Sequence, residues 1–216
     1  MMKLKSIFMA ALSALFLAST TAHAASVEVY AYDTGWYQNG FHSTGNENIA
    51  VGLGGYNNFF AFDLSTVTGT VTSATLAIAA NGSPLNTNPS VTYTVYDVTT
   101  DIGSLVAGTG GAAAQTDLGS GTLYGSTTIT ALSGNPMPAV TVGLAGGLTD
   151  INAALGGLFA VGGASDATSY LWGSSNGVGN VKLVLEIGAV PLPAAFPLFL
   201  AALGGLGIAA RRRKRA

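Results

Sequence analysis

The chain has 216 residues, no cysteine, 30 glycines and only 8% charged residues, with a mean hydropathy of +0.46. Those figures exclude a disulfide-stapled miniprotein, a coiled coil, a charge-rich disordered chain and a nucleic-acid-binding module. The formal charge of −2 conceals a partition: both ends are basic, while between them Lys182 stands alone against ten carboxylates, Glu28 to Glu186, a net of −9.

In chain order, residues 1–24 have the three parts of a secretory signal. Lys3 and Lys5 form a positive n-region, Ile7 to Ala18 an apolar run broken only by Ser13, and Ala22-His23-Ala24 a small-x-small cleavage site. Cleavage after Ala24 makes Ala25 the mature N-terminus and signal peptidase the first partner. A buried N-terminal helix or an uncleaved anchor is the plainer alternative. The short apolar run and the polar Ser19-Thr20-Thr21 argue against it.

Residues 25–188 carry strand patterns. Val27 to Tyr32 is β-rich, and Phe59 to Leu64 alternates with Phe60, Phe62 and Leu64 on one face. Thr72 to Ala79 and Val91 to Val98 continue the period of two, and Asn180 to Ile187 closes the domain. Asn81-Gly82-Ser83-Pro84 and Ser133-Gly134-Asn135-Pro136 break the chain between them, and the Gly-Gly pairs at 54, 110, 146, 156 and 162 read as turns. One helix stands out: Thr149 caps Asp150 to Leu155, and Gly156-Gly157 stops it. Strands at short spacing with hardly any helix predict an all-β sandwich, jelly-roll-like, with one short helix.

The catalytic inventory of this body is thin. His42 is its only histidine, so any Ser-His-Asp triad must use it, and its place between Phe41 and Ser43 reads as a loop or surface position. Carboxylate pairs such as Asp97 with Asp101, or Glu28 with Asp33, are open to glycoside hydrolysis. In an acidic exported domain such pairs also arise by chance, so the body is read as non-enzymatic. No cofactor is expected, with calcium as the exception. Asp33 and Glu47, with Asn46, Asn48 and Asn57, are hard oxygen donors in a Gly-rich region; solvated acidic surface is the alternative. Tyr30, Tyr32, Trp36, Tyr37, Phe41, Tyr56, Phe59 and Phe60 crowd the start of the domain. Most such rings pack in cores. Trp36 and Tyr37, in a polar Gly/Asn-rich stretch, are the candidates for stacking on a sugar.

The chain ends on a third pattern, residues 189–216. Ala194 to Ala210 carries no charge, and Arg211, Arg212, Arg213, Lys214 and Arg215 follow at once. At about 1.5 Å per residue this run reaches about 25 Å as a helix. Leu192, Pro193 and a snorkelling Arg211 make up the difference to a hydrocarbon core of about 30 Å. A transmembrane helix is therefore expected over 194–210, with the basic cluster cytoplasmic and the body outside. Pro191 and Pro193 hold Leu192 extended, a form that a processing enzyme can grip.

Val190-Pro191-Leu192-Pro193-Ala194, then the apolar run, then the basic cluster, resembles the PEP-CTERM sorting signal in its VPLPA variant, with Leu192 where Glu is usual. The resemblance implies an exosortase-type processing enzyme, removal of the span, and transfer of the body to the surface or exopolysaccharide matrix of a Gram-negative cell. Phe59 to Leu76, FFAFDLSTVTGTVTSATL, is similar to a strand pair of bacterial DNRLRE-like jelly-roll domains. That likeness implies a β-sandwich in a surface or carbohydrate context and carries over no activity. The expected protein is thus exported and non-catalytic, structural or adhesive in a biofilm layer. The alternatives are a carbohydrate-binding module or a glycan-active enzyme.

Overall fold

β-Branched and aromatic residues in alternation become strands here because one face of each can be buried. A computed structural model describes residues 25–79, 90–130, 139–172 and 177–188, and Ala25–Gly188 forms one compact unit. The signal segment with Ala22 and Ala24, the motif Val190 to Ala194, the apolar run 194–210 and the basic cluster Arg211 to Arg215 lie outside the described residues. Among the described residues no helix is long and apolar enough to cross a membrane.

The body is all-β, with antiparallel pairing throughout the described strands. In chain order these are β1 (Ala25–Tyr37), β2 (Val51–Gly52), β3 (Asn57–Asp63), β4 (Val71–Ile78), β5 (Ser90–Tyr96), β6 (Leu123–Thr130), β7 (Val140–Gly143), β8 (Leu158–Ser165), β9 (Tyr170–Leu171) and β10 (Val181–Ile187). An eight-stranded sheet runs β6-β5-β8-β3-β1-β10-β4-β7, and β2 pairs with β9.

Strand β1 joins the two halves of the sheet. Its first part pairs with β10, from Ala25 opposite Ile187 to Tyr30 opposite Lys182. Its second part pairs with β3, from Ala31 opposite Phe62 to Tyr37 opposite Asn57, with a bulge between Ala31 and Asp33. An extra residue at a bulge bends a strand and raises its twist. Beyond the bend, side chains of both halves meet: Phe60 and Phe62 of β3, Leu76 and Ile78 of β4, and Leu183 and Leu185 of β10 share one buried cluster.

Three α-helices, not one, stand among the described residues: α1 (Ile102–Val106), α2 (Gly111–Leu118) and α3 (Leu148–Ala153). The Asp101 carboxylate starts α1 by accepting the Ser104 amide at 2.8 Å. α2 is built on Ala112-Ala113-Ala114, whose helix propensity overrides the paired glycines before it. α3 is the expected helix, but Gly147 rather than Thr149 is its N-cap, with no side-chain cap bond.

The two unexpected helices change what β3 touches. Phe59 and Ala61 are as buried as Phe60 and Phe62, because a second cluster of Tyr37, Phe59, Leu105, Ala114, Leu118 and Ala160 covers the other face. Asp117 of α2 fastens this layer. It accepts the amides of Thr99 and Thr100 at 2.9 and 2.8 Å, and their hydroxyls at 2.6 and 2.7 Å. Burial pushes its carboxyl up, but these bonds to the charged form outweigh that and hold it below the usual range. The Gly162-Gly163 pair, expected as a turn, lies inside β8.

Candidate functional site

At the end of β1 the chain reverses through Gln38-Asn39-Gly40-Phe41. Gln38 and Phe41 exchange backbone bonds of 3.0 and 2.9 Å, and Asn39 and Gly40 both have positive φ, 50° and 73°. An Asn-Gly pair suits that hairpin turn because Asn tolerates and Gly freely adopts the left-handed region. The reversal sets Phe41 beside Trp36, ring centroids 6.4 Å apart. Tyr56 lies 4.7 Å from Trp36, and Tyr170 of β9 meets Tyr56 edge-on at 5.2 Å.

Four rings from three parts of the chain thus form a continuous strip at the surface. Phe41 is 61% exposed and neighbouring Leu53 43%, while Trp36, Tyr56 and Tyr170 are half-buried. Gln115 of α2 holds the loops beneath it: its carbonyl oxygen accepts the Gly40 amide at 2.7 Å and its amide donates to the Gly55 carbonyl at 2.8 Å. Half-buried rings held by such a brace lose little freedom on meeting a ligand.

Trp36 is thus a half-buried member of the strip, set in strand β1 rather than in a loop, and Tyr37 is not part of it. Tyr37 is fully buried, its hydroxyl donating to the Leu105 carbonyl at 2.7 Å, and burial pushes its phenol above the usual range. Successive residues of a strand point to opposite faces, so the two could not share one. The partners of Trp36 come instead from Phe41 and Tyr56, already among the crowded aromatics, and from Tyr170, which no local pattern marks.

His42 is 5% exposed, not a surface histidine. Its Nδ1–H donates to the Trp36 carbonyl at 3.0 Å, since a carbonyl can only accept. The ring stacks on Tyr37 and meets Phe59 edge-on, both at 5.2 Å. Burial lowers its pKa, partly opposed by the Trp36 bond. It packs beneath the aromatic strip.

The proposed calcium ligands are scattered in purpose. Asp33 sits at the β1 bulge, its carboxyl pushed up by burial and then by the Glu47 charge, against a lowering bond from Thr34. Thr34 also ties β1 to the Glu47 carbonyl at 2.8 Å. Asn46, however, turns its side-chain oxygen to the Asn48 amide at 3.0 Å, and Asn57 donates to the Gln115 carbonyl at 2.8 Å. Among the described residues no three His, Cys, Asp or Glu side chains converge, whereas calcium takes about six to eight oxygens.

The carboxylate pairs read from the sequence are engaged elsewhere. Glu28 accepts Lys182 at 2.7 Å on the exposed face of β1 and β10. Asp101 caps α1, and Asp97 accepts the Thr122 amide at 2.6 Å. Compared with known proteins, the chain matches no protein-family model and no curated sequence.

Proposed function

We propose that this chain is an exported, non-catalytic surface or matrix protein, whose jelly-roll-like body meets a glycan through Trp36, Phe41, Tyr56 and Tyr170. In this reading the first 24 residues direct secretion. The PEP-CTERM-like tail, with Val190 to Ala194, the span 194–210 and the cluster Arg211 to Arg215, holds the body at the membrane until an exosortase-type enzyme releases it.

The observation that carries the glycan reading is the braced, part-exposed aromatic strip. Aromatic plates with polar edges suit the C–H faces and hydroxyls of sugars. The jelly-roll-like reading draws on the bend at β1, and on the edge strands β6 and β7, which approach in backbone contact at Gly125 and Gly143. The net charge of −9 over the body disfavours an acidic polysaccharide and leaves neutral or cationic glycans as partners.

Affinity electrophoresis against soluble neutral β-glucans tests the strip. Trp36→Ala should weaken binding by about thirtyfold, the scale of losing a central aromatic anchor, with an unchanged melting profile. Equal retardation of both proteins, or none for either, removes the glycan reading. Intact mass of the protein from membranes and from the culture matrix tests the sorting. A matrix form starting at Ala25 and ending between Val190 and Ala194 is expected; a full-length C-terminus confined to the membrane refutes release.

A further inference from the structure

A cleft of about 340 Å³ opens elsewhere on the body, between the end of β5, β6, the start of β8 and helix α3; none of its lining residues belongs to the aromatic strip. Asp97 and Asp150 both line it, brought together from positions far apart in the chain. Polar and apolar groups share its walls, the apolar ones including Ile102, Phe159 and the half-exposed Leu158. The hydrogen-bonding capacity of the lining is one-sided. The Thr99 hydroxyl already donates to Asp117 at 2.6 Å, and the Tyr124 hydroxyl to Asp150 Oδ2 at 2.6 Å. Asp97 Oδ1 takes the Thr122 amide, and among the described residues no bond is made to Asp97 Oδ2 or Asp150 Oδ1. The charges of both carboxylates reach the Tyr124 phenol, which burial and these two groups push well above its usual range.

A cleft that offers carboxylate acceptors, no spare side-chain donor and no Lys, Arg or His selects a ligand bringing both positive charge and N–H donors. Anions are repelled there. A quaternary ammonium would need open aromatic faces, yet Tyr124 and Phe159 stack on each other at 6.2 Å and are nearly buried. A primary ammonium fits, since its three donors form charge-assisted bonds with carboxylates. The apolar part of the lining and the small volume suit a single ring behind that charge.

We propose that the Asp97–Asp150 cleft binds the protonated amine of a deacetylated amino sugar. The choice of a sugar over another amine rests on the glycan reading above; the ammonium chemistry does not.

Calorimetry on the purified full chain carrying Trp36→Ala, which removes the central ring of the aromatic strip, tests it with a glucosamine tetramer, the N-acetylated tetramer, a glucose tetramer and butylamine. The glucosamine tetramer should bind, and the two uncharged tetramers should bind at least about tenfold more weakly, as expected for loss of a charge-assisted bond. Asp97→Asn and Asp150→Asn keep the oxygens that accept Thr122 and Tyr124, so they should fold, and each should weaken binding by about tenfold. Leu158→Arg, at a half-exposed rim position, should also block the cleft with a tethered cation. With the strip disabled by Trp36→Ala, a preference for the glucosamine tetramer reports on the cleft alone, so failure of the aromatic strip and failure of this cleft are separable. Equal binding of the acetylated and free tetramers, or undiminished binding by both Asp variants, overturns the proposal. Butylamine binding without glucosamine binding overturns the sugar assignment.

Discussion

Asn58→Ala should destabilise the folded body by about 3 to 5 kcal/mol, read as a lowered urea midpoint. Asn58 is fully buried on β3, where its amide donates to the Ile49 carbonyl at 3.0 Å. Its oxygen accepts the hydroxyl of Tyr93 at 2.8 Å. Tyr93 is itself fully buried, and burial drives its phenol far above the ordinary value, only partly offset by the Asn58 bond. Alanine leaves the Tyr93 hydroxyl and the Ile49 carbonyl without this partner, and each stranded group costs about 1 to 3 kcal/mol. The space vacated adds a cavity term. Tyr93→Phe should cost less, since it strands only one side-chain oxygen, and the double variant should cost less than the sum of the two. Strict additivity, or a loss below about 1 kcal/mol, would mean that this bond contributes little.

Gly162→Ala should cost about 2 to 3 kcal/mol, or roughly 5 to 10 °C in Tm, and should also weaken the aromatic strip without altering any of its residues. A Cβ at Gly162 would lie 2.6 Å from both Cα and the carbonyl oxygen of Leu118. Those atoms are backbone at the end of α2, so no side-chain rotation relieves the clash. Either β8 or α2 must shift, and α2 carries Gln115, the brace of the Gly40 and Gly55 loops. Loss of neutral-glucan binding together with the fall in Tm is the expected result. Full binding at a reduced Tm would show that the strip does not depend on the seat of α2. On the other face of the same strand, a Cβ at Gly163 would strike the Tyr93 hydroxyl and the Asn58 oxygen, so the pair admits close packing on both sides of β8.

Much of the strand content was legible because alternation is a local property. Thr72 to Ala79 and Asn180 to Ile187 lie within a residue or two of β4 and β10, since each buries one face and wets the other. Strand β8 was not legible in that way. Buried on both faces from Phe159 to Gly163, it has no polar beat, and its glycines imitate a turn. Helices α1 and α2 were masked by neighbouring glycines, although Asp101 with Ser104 was a readable cap. Asn39-Gly40 was likewise a readable hairpin signal, and it decides where Phe41 points.

The amino-acid sequence by itself determined the acidic, cysteine-free and basic-ended make-up of the chain and the all-β class, whereas Trp36, expected in an exposed loop, stands half-buried in β1. The make-up and the class follow from composition and from a repeat of two, which need only neighbouring residues. Tertiary structure alone decided that Tyr56 and Tyr170 join Trp36 while Tyr37 turns into the core. It also decided that Asp97 shares a cleft with Asp150 rather than a site with Asp101. Those pairings depend on strand register, on the bend at the β1 bulge and on the helices that cover β3 and β8. Each is set by which distant surfaces can be buried together, and no local stretch of residues encodes that.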